Sequence, residues 1–411
     1  MNYTAGLDVS RDARVHVTDL GSAYRIDLNM LGARLGPEPA GGWGPWSREQ
    51  NRRLCDFMAA EAARRGGSLD SVAEWTVAVN ARYDLKDMRE VRTSRFRPDF
   101  RSAITTLPWG NPASAQSVAI QAVAFVPKDP RAHFAIRAWQ PKCLYDGTFL
   151  GLATAVVVEI GAVSHVYIAG VVAWDHDIKP LAGDDPRKQM RIVLQMIQEV
   201  LAEAGGNPAD VVRLRPFTAS PAVAQMVREE CTQLWSARGY PAPTLLVAED
   251  SSFWDAPSLH AEIQAMGIVG RAGVVVGQDE PMVSGVTSAT TRIRRTSTPE
   301  ADLFHVADLR APGGTAVPAE ATVVGNQVTT TLQALGLAPD DVCLAIIYGS
   351  SPESLVQLQN ALRGHVSSSA MHCVHCPPMA ELAGGTLKVE LTARKQKPSA
   401  AAGRPVTSPQ P

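Results

Sequence analysis

Two carboxylates stand inside apolar runs of this chain: Glu262 in Ala261-Glu262-Ile263-Gln264-Ala265, and Glu390 in Val389-Glu390-Leu391. A carboxylate in an apolar strand is costly unless it meets a donor or carries a raised pKa. Each is therefore a candidate acid or base, and equally a candidate structural ion pair. The phrase His372-Cys373-Val374-His375-Cys376 invites a metal reading. On a strand, however, Cys373 and His375 share one face and His372 and Cys376 the other, so four ligands cannot converge. A Cys373–His375 pair could still form an activated nucleophile, the imidazole lowering the thiol pKa. The alternative is a small buried thiol beside a satisfied histidine. Arg101 follows a basic stretch that contains Arg92, Arg95 and Arg97. Its guanidinium fork suits a carboxylate, although a solvated arginine is the plainer account. Trp174-Asp175-His176-Asp177 could hold a cation or form a polar turn, and Trp43, Trp46 and Trp109 could stack on a planar substrate or pack loops. No P-loop, dinucleotide fingerprint, metalloprotease helix or Gly-x-Ser-x-Gly elbow occurs, so neither a cofactor nor a metal is expected.

The elements that must position these groups emerge as a repeat. Amphipathic stretches end at a glycine three times: Glu49 to Arg65 before Gly66, Lys188 to Ala204 before Gly205, and Glu320 to Leu335 before Gly336. Counting back aligns Leu54, Val193 and Val324, then Met58, Ile197 and Val328, then Ala62, Leu201 and Leu332. That spacing of four is the stripe of a helix lying on a sheet, and a glycine suits each C-terminus. A turn carrying an acid (Asp70, Asp210, Asp340) and a strand follow each time, at Val72 to Val79, Val211 to Thr218 and Val342 to Tyr348. Second helices are expected over Asp84 to Ser94, Val223 to Leu234 and Ser354 to Leu362. Each copy reads strand, turn, helix, strand, helix, strand, strand, which is an α+β order with both helices on one face.

At 411 residues, 45% apolar and with a net charge of −2, the chain can bury several cores, and it lacks the basic stripe that phosphate backbones demand. No nucleic acid partner is expected. No apolar run reaches the roughly 18 residues of a membrane span, and residues 1–17 are polar and mixed in charge, so a cytoplasmic protein without a membrane partner is expected. The six scattered cysteines fit reduced thiols. Expected units are 1–127, 128–272 and 273–393. The Ser/Thr/Gly-rich stretch 277–300 would be a connecting loop or edge strand, and 394–411 a disordered tail.

His165-Val-Tyr-Ile-Ala-Gly-Val-Val-Ala173, the helix ending at Gly205, Asp210-Val211-Val212 and Ala261-Glu262-Ile263-Gln264-Ala265 resemble the RidA/YjgF family of reactive intermediate (imine) deaminases. The resemblance covers nearly the whole chain as three units and is strongest in the second. It implies three chorismate-mutase-like units arranged as an intramolecular pseudo-trimer, with clefts between neighbours, whether or not the chain assembles further. It also implies a substrate carboxylate held by the Arg of an Arg-Ser-Cys phrase and an attacking water positioned by a Glu in the final strand. Here Phe100-Arg101-Ser102-Ala103 keeps the Arg and Ser, while Ala119 stands where the Glu belongs. The second copy keeps Glu262 without the Arg, and the third keeps Cys373 and places Glu390 in the Glu position. Arg101 and Ser102 are thus the expected substrate-binding pair, and Glu262, Glu390, Cys373 and His375 the expected catalytic groups. The implied function is hydrolysis of a small carboxylated enamine or imine, or a related biosynthetic reaction on a conjugated metabolite. The alternatives are a lyase or cyclase of chorismatase type and a non-catalytic scaffold for a reactive metabolite or partner enzyme.

Overall fold

The structure is a computed structural model that describes residues 13–31, 43–79, 85–108, 118–129, 131, 133–235, 246–247, 258–286, 291–312, 315, 317–375 and 387–397. The first unit comprises β1 (Arg14–Asp19), β2 (Ala23–Leu31), α1 (Trp43–Ala63), β3 (Val72–Val79), α2 (Leu85–Arg95), β4 (Ala103–Pro108) and β5 (Val118–Pro127). The second comprises β6 (Phe134–Trp139), β7 (Ala155–Ile160), β8 (Val163–Val171), α3 (Pro186–Glu203), β9 (Val211–Thr218), α4 (Pro221–Trp235), β10 (Leu246–Val247) and β11 (Ala261–Gly270). The third comprises β12 (Gly277–Asp279), β13 (Arg292–Ser297), β14 (Ala301–Leu309), α5 (Val317–Leu335), β15 (Val342–Gly349), α6 (Pro352–Leu362), β16 (Met371–His375) and β17 (Leu387–Gln396).

The three sheets share one topology. Their strand orders are β1-β2-β5-β3-β4, β6-β7-β8-β11-β9-β10 and β12-β13-β14-β17-β15-β16. In each, the last two strands pair in parallel and the remaining pairs are antiparallel. This is the α+β pseudo-trimer expected. Its surplus over that expectation is an N-terminal edge: β1, then β6 with β7, then β12 with β13. The stretch 277–300 thus holds edge strands, and β17 extends through Gln396, into the stretch expected to be a structureless tail. Residues 398–411 lie outside the described residues.

The helix stripes do what their spacing requires. Leu54, Met58, Ala62, Val193, Ile197, Leu201, Val324, Val328 and Leu332 are all buried. Gly66, Gly205 and Gly336 take φ of +84°, +84° and +61°, the left-handed geometry that ends a helix without a Cβ penalty. In the turns beyond, the side chain just before the strand accepts from a backbone N–H three residues earlier: Ser71 from Ser68, Asp210 from Asn207 and Asp341 from Ala338. In the first and third units this capping side chain stands one residue beyond the acids Asp70 and Asp340.

The other face of each sheet turns inward. Tyr167, Phe217 and Met266 of the second unit and Leu344, Ile346 and Tyr348 of the third join the first unit's core in one apolar cluster. Closure is cyclic, with β3 and β4 against β7 and β8, β9 against β14, and β15 against β1. Bonds cross each seam: Ala153 N–H to Ser102 O at 2.9 Å, Arg294 to Ala209 O, and Arg394 Nη1 to Asp19 O at 2.9 Å. Where the three inner faces meet, Arg215 is fully buried. It pairs with Glu390 at 2.6 and 2.8 Å and reaches Gln264 at 3.1 Å, Gln121 at 3.3 Å and Thr76 at 3.4 Å. No described helix is long and apolar enough to cross a membrane.

Candidate functional site

A pocket of about 370 Å³, open to solvent, lies where the parallel edge of the first sheet meets the inner rim of the second. Helix α2 brings Arg89 and Arg92 to it, three residues apart and so on one face, and β4 adds Ile104 and Thr106. From the second unit come Tyr145, Leu150 and Leu152 ahead of β7, Gly170 in β8, Val172 and Trp174 beyond it, and Glu262 in β11. Arg92 Nη1 lies 3.5 Å from Thr106 Oγ1 and its Nη2 3.5 Å from Leu150 O, so the guanidinium spans the seam. Tyr145 and Trp174 meet edge to face at 5.2 Å and form an aromatic wall. Burial, followed by the nearby Glu262, pushes the Tyr145 pKa up, so its phenol stays protonated.

Glu262 reaches this pocket because β8 carries no side chain at 170. A Cβ there would overlap the Glu262 carboxylate directly. The expected catalytic Glu262 is therefore in a cleft between units. Arg101 is not among the residues lining it. Its Nη1 instead donates to the backbone carbonyls of Arg97 and Phe100, bracing the turn before β4. Ser102 is buried and donates to Val72 O at 2.5 Å, which pins the start of β4 to β3. The arginines offered to this cleft are Arg89 and Arg92, whose signal was their helical spacing in the basic stretch. Trp174 and Tyr145 were also missed. In Trp174-Asp175-His176-Asp177 the tryptophan lines the cleft, while Asp175 accepts from the Asp177 and Lys179 backbones in an exposed turn.

Register corrects two positions in the third unit. Opposite the middle strands, Gln121 faces Thr76, Gln264 faces Arg215 and Glu390 faces Ile346. Two residues earlier, Ala119 faces Ala78, Glu262 faces Phe217 and Lys388 faces Tyr348. Glu390 thus corresponds to Gln264, and Lys388 holds the place of Glu262. Likewise Thr106 lies opposite Val77 and Cys373 opposite Ile347, so Cys373 corresponds to Thr106 rather than to Ala103. Burial pushes the Cys373 thiol up to about 12, leaving it protonated and unsuited to nucleophilic attack. His375 closes β16 opposite Gly349; its side chain and Cys376 lie outside the described residues. His372 faces inward, and burial lowers its pKa to about 3. The side chains of Trp43 and Trp109 also lie outside the described residues, while Trp46 packs against the core. No group of three or more metal-ligating side chains occurs among the described residues.

The corresponding positions at the three seams can now be compared. Helix positions with the same burial pattern put Arg92, Arg228 and Gln359 in register, following the pairs Met88/Val91, Ala224/Val227 and Leu355/Leu358. Between the first and second units the cleft holds Arg92 and Glu262. Between the second and third, Arg228 lies 3.3 Å and Lys388 3.5 Å from the buried Asp308, so those charges answer one another. Between the third and first, the corresponding positions are Gln359 and Ala119. Among the described residues, the arginine and the glutamate come together at one seam of the three.

Sheet order, helix placement and cyclic closure at the three seams define a single-chain assembly of three related α+β units. Residues 154–267 match the family described as endoribonuclease L-PSP. A Rid-family protein from Yersinia pestis is 30% identical over 98% of its own length and 33% of this chain, with a TM-score of 0.24. A YjgF-family protein from Mycobacterium tuberculosis is 27% identical over 100% of its length and 33% of this chain, with a TM-score of 0.26. A chorismatase is 15% identical over 80% of its length and 62% of this chain, with a TM-score of 0.43. The chain belongs to the RidA/YjgF (L-PSP) family.

Proposed function

We propose that the cleft between the first and second units hydrolyses a small, planar, carboxylated enamine or imine. The observation that carries this reading is the meeting of Arg92 and Glu262 in that cleft and not at the corresponding positions of the other two. The Arg92 fork, with Arg89 beside it, pairs the carboxylate of the substrate. Tyr145 and Trp174 flank the conjugated plane. A proton from solvent added at carbon converts the enamine to the iminium ion. Glu262 then takes a proton from water as the oxygen bonds to the iminium carbon, and returns it to nitrogen as that carbon–nitrogen bond breaks, the hydroxyl proton passing to solvent as the carbonyl forms. Ammonia and a 2-oxo acid leave.

The test is ammonia release from 2-aminoacrylate generated in situ, measured above the spontaneous rate. Glu262→Gln is expected to lose about 10²-fold or more in turnover. Arg92→Ala and Arg92→Lys should both raise KM, because an ammonium cannot reproduce the fork. Arg101→Ala should retain activity. A wild-type rate equal to the spontaneous one defeats the deaminase reading. Retained binding of pyruvate without turnover then favours a binding module, and cleavage of a cyclic conjugated acid without ammonia favours a lyase.

A further inference from the structure

The charges at the seam between the second and third units stand at the positions of the groups that line the first cleft. Beside the final strand of each unit, β8 and β14 both carry a bulge, between Ile168 and Val171 and between Val306 and Leu309. With Lys388 in the place of Glu262, that shared register puts Asp308 where Gly170 stands and Arg310 where Val172 stands. Arg228 matches Arg92 on the helix. Four residues lining the first cleft, Arg92, Gly170, Val172 and Glu262, are thus Arg228, Asp308, Arg310 and Lys388 at this second seam.

The exchange of glycine for aspartate changes what the seam contains. Position 170 has no side chain, and the Glu262 carboxylate takes the space. At 308 the chain supplies a carboxylate of its own, fully buried, with Oδ2 3.3 Å from Arg228 Nη2 and 3.7 Å from Arg310 Nε, and Oδ1 3.5 Å from Lys388 Nζ. A carboxylate is held away from water only among such counter-charges. The Asp308 backbone takes a φ of +56°, a left-handed conformation open to glycine without penalty, and Thr291 Oγ1 fixes it there by donating to the Asp308 carbonyl at 2.7 Å. Local strain is accepted in order to present an anion at this spot. Lys388 and Asp308 are closed off from solvent, whereas the Arg228 and Arg310 side chains are 17% and 19% exposed, so an anion from solution would arrive on the guanidinium side.

We propose that Asp308 is a built-in ligand: its carboxylate occupies, at the second seam, the site that a substrate carboxylate takes on Arg92 at the first, and so closes that seam to small carboxylic acids. The comparison with the first cleft rests on the reading of Arg92 given above. The occupancy rests on the contacts of Asp308 alone, and its test measures no turnover.

Asp308→Gly removes the side chain, relieves the left-handed strain and leaves room for acetate, which is the severed side chain itself. Thermal melts of the full chain in rising sodium acetate, against sodium chloride at equal ionic strength and neutral pH, read the binding, because a ligand of the folded state raises the melting temperature with its concentration. The first cleft is present in every protein compared, so whatever acetate does there cancels. Acetate is expected to bind Asp308→Gly at least about 10-fold more tightly than it binds the wild type. Acetamide, of the same shape without the charge, should not replace it. Asp308→Asn, which fills the space, should respond as the wild type does, and adding Arg228→Met to Asp308→Gly should abolish the gain. Asp308→Gly combined with Lys388→Met leaves only the two partly exposed arginines and carries the same expectation, so either variant that folds decides the matter. An acetate response no greater than that of the wild type in a folded variant overturns the proposal. So does an equal response to acetamide, or a gain that survives Arg228→Met. Acetate binding gained in Asp308→Gly and absent from the wild type would uphold the assignment of Asp308 while removing the carboxylate role of Arg92.

Discussion

Glu262 projects into its cleft because residue 170 has no Cβ, so the glycine is as much a part of the site as the acid. Alanine at 170 would force the carboxylate aside, since its Cβ would overlap Oε1, Cδ and Cγ of Glu262 and the side chain must turn away from its place in the cleft to make room. Gly170→Ala is therefore expected to depress turnover about as far as Glu262→Gln. Its cost in stability should be about 1–3 kcal/mol, typical of overpacking. Steady-state ammonia release together with urea unfolding checks both. Full activity in Gly170→Ala would show that the reaction does not use the position Glu262 occupies here. Cys373 makes the opposite case, a reactive residue type in a quieting environment. With its thiol pushed up to about 12, its thiolate fraction at pH 8 is about 10³-fold below that of an ordinary cysteine of pKa about 8.5. Alkylation of the Cys373 peptide by iodoacetamide, followed by mass spectrometry, should be slow at pH 8 and still climbing at pH 11. A plateau near pH 9 would restore the nucleophile reading.

Elements were legible in the sequence to the degree that burial is periodic. The stripe through Val193, Ile197 and Leu201 foretold α3, and all three residues are buried on the sheet. Ile197→Ala should accordingly cost about 2–5 kcal/mol by equilibrium unfolding, and Ile197→Val about 0.5–1.5 kcal/mol, because truncation leaves a cavity the sheet cannot close. A cost below about 1 kcal/mol for the alanine would mean that the helix is not seated as described. Edge strands were illegible for the converse reason. β1 and β6 are half-exposed along most of their length, and their burial does not alternate even where the sequence of β1 does. The site was legible in part. Glu262 stood out as a charge in an apolar strand, and it does line a cleft. Glu390 stood out equally, yet it lies two residues out of register, a slip that pattern cannot detect because residues two apart share a face of the sheet. Only hydrogen-bonded register separates Lys388 from Glu390. Arg92 was visible only as one of several basic residues, because its partner surface belongs to another unit. A contact across a seam leaves no local periodicity.

At the scale of the whole molecule, tandem duplication removes a constraint that symmetry imposes on a homotrimer. Three identical chains would place the same residue three times around the axis, and three arginines could not share that space. One chain can place Thr76, Arg215 and Ile346 at equivalent positions, then answer a single guanidinium with Glu390 from the third unit, Gln121 from the first and Gln264 from its own. Burial alone would push the Arg215 pKa down; the adjoining Glu390, with Tyr348 and Glu74, more than offsets this and keeps the guanidinium charged. Such a pair stabilises little relative to a well-packed apolar pair, but breaking it strands a charge in the interior. Arg215→Met is therefore expected to cost about 3–5 kcal/mol, while Arg215→Met with Glu390→Met together should recover most of that loss. Urea unfolding of the two single variants and the double variant gives the coupling directly. Because Glu390 binds the units and faces no cleft in this reading, Glu390→Met should leave the KM of the surviving folded fraction unchanged. A double variant no more stable than Arg215→Met would instead assign the stabilisation to the contacts with Thr76, Gln121 and Gln264. At this junction the three units would then be joined by the guanidinium's hydrogen bonds to neutral side chains rather than by its ion pair with Glu390.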